Sequence, residues 1–271
     1  MIEYSYCTTV YNSREIINDF LNSLSLHLEK NSELVIVDNM SRDGTYEEIL
    51  KFSYEHPNVI AIQEPCTRGR GRKLAVEKAS GEIIIMLDVD EIITAQDRFI
   101  NVFEKKHKDN IVLFGIDEKI NGSWVGCIIG RKQTFLKLGN YPNLNTSEDY
   151  YLYMVAQRLQ RFSKELMLPG EAIPLTIRGL NSGTESRYAT NKLEAIVRRI
   201  KATRDGIFCS DKGFNQLVSS WNLEGFRKYF IGFPIYIIAK MLKGTVKEET
   251  VDQRVKRIMV SENYPIAENQ S

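Results

Sequence analysis

Short runs of unbroken apolar side chains recur through the first third of the chain, and they restrict its fold more than any other feature. Leu34-Val-Ile-Val37, Val59-Ile-Ala-Ile62 and the stretch Glu82-Ile-Ile-Ile-Met-Leu87 show no polar alternation. Such runs fit strands buried on both faces, as in a parallel sheet covered by helices. The aromatic and β-branched stretch Tyr4–Val10 reads as a strand of the same kind. Between these runs lie amphipathic segments. One extends from Arg14 to about Leu28 behind an Asn12-Ser13 cap, one covers Tyr46–Tyr54, and one follows the loop Glu64–Gly71 and runs through Ala79. Strands alternating with helices imply βαβ units and an α/β doubly wound core.

Beyond this core the pattern changes. Ile111–Gly115 reads as a further strand, and Asn121-Gly122 as a hairpin turn between 116–120 and 123–129. Glu148–Phe162 reads as a helix and Ala172–Ile177 as a late strand. The Gly-, Ser-, Thr- and Asn-rich stretch Arg178–Ala189 marks a boundary or mobile loop, with a helical remainder and a frayed polar tail at 266–271. Charge divides at the same place: residues 1–180 carry 21 Lys+Arg against 25 Asp+Glu, and residues 181–271 carry 15 against 10. The overall formal charge of +1 argues against a broadly basic nucleic-acid binder. The N-terminus, Met1–Ser5, has neither a basic nor an apolar leader region, so no secretory signal is expected. Cys7, Cys66, Cys127 and Cys209 form no CxxC pair and read as reduced thiols of a cytosolic protein.

In an open α/β sheet, ligands bind outside the carboxyl ends of the strands. Two predicted strand ends carry aspartates, Asp38 and the Asp88/Asp90 pair. Alternate residues of extended backbone point the same way, so Asp88 and Asp90 suit a hard divalent cation, Mg²⁺ or Mn²⁺; a solvated acidic loop is the bland alternative. Upstream, Arg68-Gly-Arg-Gly-Arg72-Lys73 interleaves glycines and cations just before a helix. Close backbone approach, free helix N–H groups and forked guanidinium donors suit a phosphate or pyrophosphate; a flexible solvated basic loop is equally compatible.

Taken in order, these segments resemble the nucleotide-sugar-dependent glycosyltransferases of family 2, which have the GT-A fold. The motifs are Cys7–Ser13, Val37-Asp-Asn-Met-Ser-Arg-Asp-Gly-Thr45, Gly69 through Ala79-Ser-Gly-Glu82, Leu87-Asp-Val-Asp-Glu91, and Ser147-Glu-Asp-Tyr-Tyr-Leu152 with Arg158. The resemblance spans roughly residues 4–180. It implies a GT-A domain over 1–180 with a Rossmann-like, mostly parallel central sheet, and a helical C-terminal extension over 181–271.

The resemblance also implies roles. Asp38 would recognise the base of a UDP- or GDP-linked donor, accepting from a uracil or guanine N–H, and Thr9 would line the same pocket. Arg68 and Arg72 would lie by the diphosphate and Asp88 by the ribose or nucleotide. Asp90 would be the principal ligand of a Mn²⁺ or Mg²⁺ ion that neutralises the departing nucleoside diphosphate. Asp43 is open between a ligand role and capping the next helix. No histidine follows the last motif, so phosphate oxygens and water would complete the metal's coordination. Asp149, with Glu148 as second choice, would be the general base of an inverting transfer; a helix-dipole role for both is the alternative.

Between Gly225 and Val246 there are no acids, while Arg227, Lys228, Lys240 and Lys243 flank the apolar stretch Tyr229–Ala239. This stretch is too short to span a bilayer. It fits either a buried helix or a peripheral membrane contact through residues 227–243, with a glycan or lipid-linked acceptor at the inner face of the cell membrane. Rival readings are a non-catalytic scaffold with a degenerate transferase fold and a sugar nucleotidyltransferase. The latter is disfavoured because Thr8–Asn12 lacks a glycine-rich loop. A dinucleotide oxidoreductase fails because Gly69-x-Gly71 lacks a third glycine and follows a later strand.

Overall fold

A computed structural model describes residues 1–28, 30–93, 112–114, 128–159, 177–179, 191–210 and 231–264. Four parallel strands form its centre: β1 (Tyr4–Val10), β2 (Ser32–Asp38), β3 (Val59–Gln63) and β4 (Ile83–Leu87). The crossovers are α1 (Arg14–Ser25), α2 (Thr45–Glu55) and α3 (Arg68–Lys78). Further along come β5 (Glu91–Ile93), β6 (Val112–Phe114) and β7 (Ile128–Arg131). The six-stranded sheet has the order β3-β2-β1-β4-β7-β6, with β7 antiparallel to both neighbours. Strand order reverses between β1 and β4, the position where doubly wound sheets open a ligand crevice.

The unbroken apolar runs are explained by the two faces of this sheet. Tyr6, Leu34, Ile36, Ile83 and Ile85 join the core beneath α1 and α2. Their neighbours Cys7, Val35, Val37, Ile84 and Met86 join the core on the opposite face with α3. Period-two side chains meet a hydrophobic layer whichever way they point.

The remaining elements are α4 (Lys132–Lys137), α5 (Glu148–Leu159), β8 (Ile177–Gly179), α6 (Lys192–Ser210), α7 (Phe233–Met241) and α8 (Val251–Ser261). The core is continuous across residue 180, since Phe208, Cys209, Val255 and Ile258 join Val35 and Met86 in one cluster. Arg254 of α8 is buried. It donates to Glu249 Oε1 (2.8 Å) and Asn140 O (2.7 Å) and lies 4.6 Å over the Tyr151 ring.

Several expectations are corrected. Arg178 and Gly179 belong to β8, which pairs antiparallel with β5, rather than to a loop. Arg68–Gly71 is the first turn of α3, not a loop before it; Thr67 caps this turn by accepting from Arg70 N at 3.1 Å. Ser13 precedes α1 without capping it, because its hydroxyl donates to Tyr11 O. The hairpin at Asn121-Gly122, the segment 172–176 and the tail at 266–271 lie outside the described residues.

Gly69 explains why a helix here needs glycine. A Cβ on Gly69 would lie 1.9 Å from Pro142 O, and one on Gly71 would lie 2.5 Å from Thr9 Oγ1. The glycines let α3 seat against the 139–146 loop and the end of β1. Gly69→Ala is expected to lose about 3 kcal/mol of stability, since the clash is with backbone that cannot move independently. Urea unfolding measures this loss.

Candidate active site

The carboxyl ends of β1, β2 and β4 form one rim. Val10 pairs with Asp38, and Thr8 pairs with Leu87, after which the chain delivers Asp88. Asp88 and Asp90 are half-buried and flank Val89, which is 6% exposed.

Arg72 is the centre of the arrangement. It is fully buried, yet its guanidinium reaches three carboxylates. It donates to Asp88 Oδ1 at 2.5 Å and to Asp149 Oδ1, and lies 3.4 Å from Glu148 Oε1. The ring of Tyr141 lies beneath it, 5.6 Å from centroid to guanidinium carbon. Arg68 adds a second cation, 3.8 Å from Glu148 Oε1. Two guanidiniums against three carboxylates leave one negative charge in excess, the condition for taking up a proton or a metal ion.

Asp149 and Glu148 differ in access. Glu148 is wholly buried, and neither of its carboxylate oxygens accepts a hydrogen bond. Asp149 keeps a 20% exposed side chain. Burial pushes its carboxyl up from 3.8 to about 7; Arg72 opposes this, while Glu148 and Asp88 reinforce it. Both residues open α5 directly after Ser147, whose φ of +61° is unusual for a residue with a side chain. This left-handed residue turns the chain so that both acids meet Arg72.

Beside the cluster, a cavity of about 580 Å³ opens between the strand ends and α6. Thr9, Tyr11, Asn39, Arg68 and Asn145 line one side, and Leu193, Val197 and Lys201 of α6 the other. Thr146 Oγ1 donates to the buried Asp205 of α6 at 3.4 Å, tying this wall to the loop that carries the acids.

Asp38 takes a different place from the one expected. Asp38 is fully buried and does not line this cavity; its neighbour Asn39 does. Asp38 Oδ2 accepts from Ser41 N (2.8 Å) and Gln63 Nε2 (2.9 Å), leaving Oδ1 without a partner. Both Asp43 oxygens are engaged, accepting from Arg14 N at 3.0 Å, Thr45 N at 3.1 Å and Thr45 Oγ1 at 2.5 Å. Burial would raise this carboxyl, and those hydrogen bonds overcome it and hold it low. Asp43 therefore joins α1 to α2, accepting from the first backbone N–H of each helix, in line with the capping alternative.

The first turn of α3 is not an open backbone cradle. Gly69 N donates to Leu144 O (2.8 Å), Arg70 N to Thr67 Oγ1, and Gly71 N to Thr67 O (2.9 Å). Its arginines diverge, Arg68 and Arg72 to the acids and Arg70 to Glu64 at 3.5 Å. Arg158 pairs with Asp252 of α8.

Among the described residues no group of three His, Cys, Asp or Glu could hold a metal by itself. A small divalent cation tolerates this, since one or two carboxylates plus substrate phosphates and water commonly complete its shell. The half-buried acids Asp88 and Asp90 and the excess negative charge fit such an ion.

The sequence profile described as Glycosyl transferase family 2 matches residues 5–144, just over half of the chain. The chain belongs to glycosyl transferase family 2. A dolichyl-phosphate beta-glucosyltransferase, ALG5A, of Trichomonas vaginalis is 31% identical over 100 residues, which cover 35% of this chain and 30% of that protein. The chain thus spans less than a third of the length of that relative. Among solved structures, the mannosyltransferase PcManGT from Pyrobaculum calidifontis, in complex with GDP-Man and Mn²⁺, superposes with a TM-score of 0.56 at 13% identity. The match covers 96% of this chain and 79% of that one. Staphylococcus aureus TarS 1-349 in complex with UDP-GlcNAc gives 0.52 at 17% identity, covering 96% and 83%. These likenesses establish the GT-A fold.

For this family member the motif reading located the acids and missed their surroundings. Tyr141, Asn145 and the α6 wall carry no recognisable spacing; the left-handed pair Gly139 (φ +81°) and Asn140 (φ +58°) just before Tyr141 was the available signal.

Proposed function

We propose that this chain transfers a sugar from a UDP- or GDP-linked donor to a hydroxyl or phosphate of a glycan or lipid-linked acceptor, with inversion. The observation that supports it most is Arg72, which holds Asp88 on the donor side and Asp149 on the acceptor side in one guanidinium fork. Asp149 is the general base: it is the more accessible acid, and a carboxyl raised toward neutrality accepts a proton more readily than an ordinary one. Glu148, buried against Arg72 and Arg68, holds those cations in place. Thr9 and Arg68 face the nucleotide and its phosphates across the cavity. Asp38 Oδ1, left without a donor, is the acceptor for a base N–H once the Asn39 side of the cavity opens. Asp88 and Asp90 would hold Mn²⁺ or Mg²⁺, which when bound neutralises charge on the leaving diphosphate. Residues 1–180 constitute the transferase unit in this reading and 181–271 the acceptor-facing unit. That unit works at the cytoplasmic face of a membrane, through residues 227–243.

Thermal shift with UDP- and GDP-sugars, with and without Mn²⁺, tests the donor reading. A donor at a hundredfold its Kd adds about 2.7 kcal/mol to the folded state. In a chain of this size that raises Tm by about 5–10 °C. A metal-dependent rise for one nucleotide is expected. No rise with any donor would replace the enzyme by a scaffold.

A further inference from the structure

Among the described residues, nine of the fifteen exposed large apolar side chains lie on α6, α7 and their immediate flanks; the other six are scattered singly. On α6, Leu193 (70% exposed), Ile196 and Val197 share one face at helical spacing. On α7, Phe233, Ile237 and Met241 (79% exposed) form a second stripe, widened by Ile238 and Leu242. Among α7 side chains only Ile235 and Ala239 are buried. The two helices pack against each other. An exposed apolar cluster of this kind marks an interaction surface rather than ordinary surface composition.

Charge identifies the occupant. Residues 231–247 contain Lys240, Lys243 and Lys247 and no acid. On α6, Lys192, Arg198, Arg199, Lys201 and Arg204 outnumber Glu194 and Asp205, and Asp205 is buried against Arg204. No helix of the described residues is long and apolar enough to cross a membrane. Aliphatic and aromatic side chains bordered by cations fit a surface that lies in the interface of an anionic bilayer.

We propose that α6 and α7 form a single docking face for an anionic lipid bilayer. Leu193 and Val197 belong both to this face and to the wall of the donor cavity, so docking sets the cavity mouth at the lipid surface. This extends the contact beyond residues 227–243. Its consequence, that donor enters from water while acceptor arrives from the bilayer, rests on the transferase reading; the docking itself does not.

Flotation with vesicles and hydrogen exchange test docking without nucleotide or turnover. The protein should float with phosphatidylglycerol-containing vesicles at low salt and be released at high salt, and it should bind pure phosphatidylcholine at least about tenfold more weakly. The triple variant Phe233→Ser, Ile237→Ser, Met241→Ser should lose flotation by about tenfold or more while its circular dichroism melt is retained. The double variant Lys240→Glu, Lys243→Glu, which leaves the apolar face intact, should also be released. Vesicles should slow amide exchange in both 193–201 and 233–242 and leave 45–55 on α2 unchanged. Protection confined to α7, flotation that survives both variants, or a concentration-dependent dimer without flotation would overturn the proposal.

Discussion

Asp149→Asn is expected to lower kcat by about a thousandfold, the range attributed to a lost general base, while the variant folds and still binds nucleotide. The amide keeps the shape of the carboxylate and cannot accept the acceptor's proton. On the proposed mechanism only ionised Asp149 is competent, so kcat should climb with pH and level off above about 7, the value to which burial lifts this carboxyl. Stability runs the other way. The folded carboxyl sits above its unfolded counterpart, so the folded state holds a proton that the unfolded state releases. The associated stabilisation is present at acid pH and is lost as pH rises from about 4 through about 7. Asp149→Asn removes that loss and should therefore raise stability by about 1 kcal/mol at pH 8 and by less at pH 5. Full turnover in this variant would dismiss Asp149 as the base, and a variant less stable than the wild type at pH 8 would dismiss the raised carboxyl.

Arg72→Met should produce the largest stability effect. The methionine fills space but leaves Asp88, Glu148 and Asp149 facing one another, with Arg68 as the remaining nearby cation. Breaking a buried ion pair from one side costs about 3–5 kcal/mol, because the abandoned charge stays desolvated. With the guanidinium gone, the charge that opposes the rise of Asp149 is lost and its carboxyl is pushed further upward, so the deficit should be deepest at pH 8 and shrink toward pH 5. Urea unfolding at the two values measures it. Adding Asp149→Asn should restore part of the loss, since the two sites touch and their effects cannot be additive. Arg72→Lys should remain defective, because a single ammonium cannot serve three carboxylates in the fork geometry of arginine.

The centre of the fold was legible for a specific reason. Strands β2 and β4 are buried on both faces, so their apolar runs carry no interruption, and their ends deliver Asp38 and Asp88 at the rim where a doubly wound sheet binds its ligands. The start of α3 was misread because glycines lower helix propensity, whereas here they permit contact with Pro142 O and Thr9 that any Cβ would prevent. The role of Asp43 was hidden because its partner Arg14 lies in the preceding helix and comes close only through folding. The packing of Tyr141 beneath Arg72 and the α6 wall of the cavity are long-range tertiary facts of the same kind. Local sequence pattern has no access to them.

The Arg72 fork also bears on how the enzyme could be diversified. Asp88 and Asp149 are separated by sixty positions of sequence, yet their spacing is set by a residue of α3 that precedes both. The intervening chain need not act as the ruler between leaving group and base. Its length and composition can then change to suit a new acceptor without retuning the chemistry.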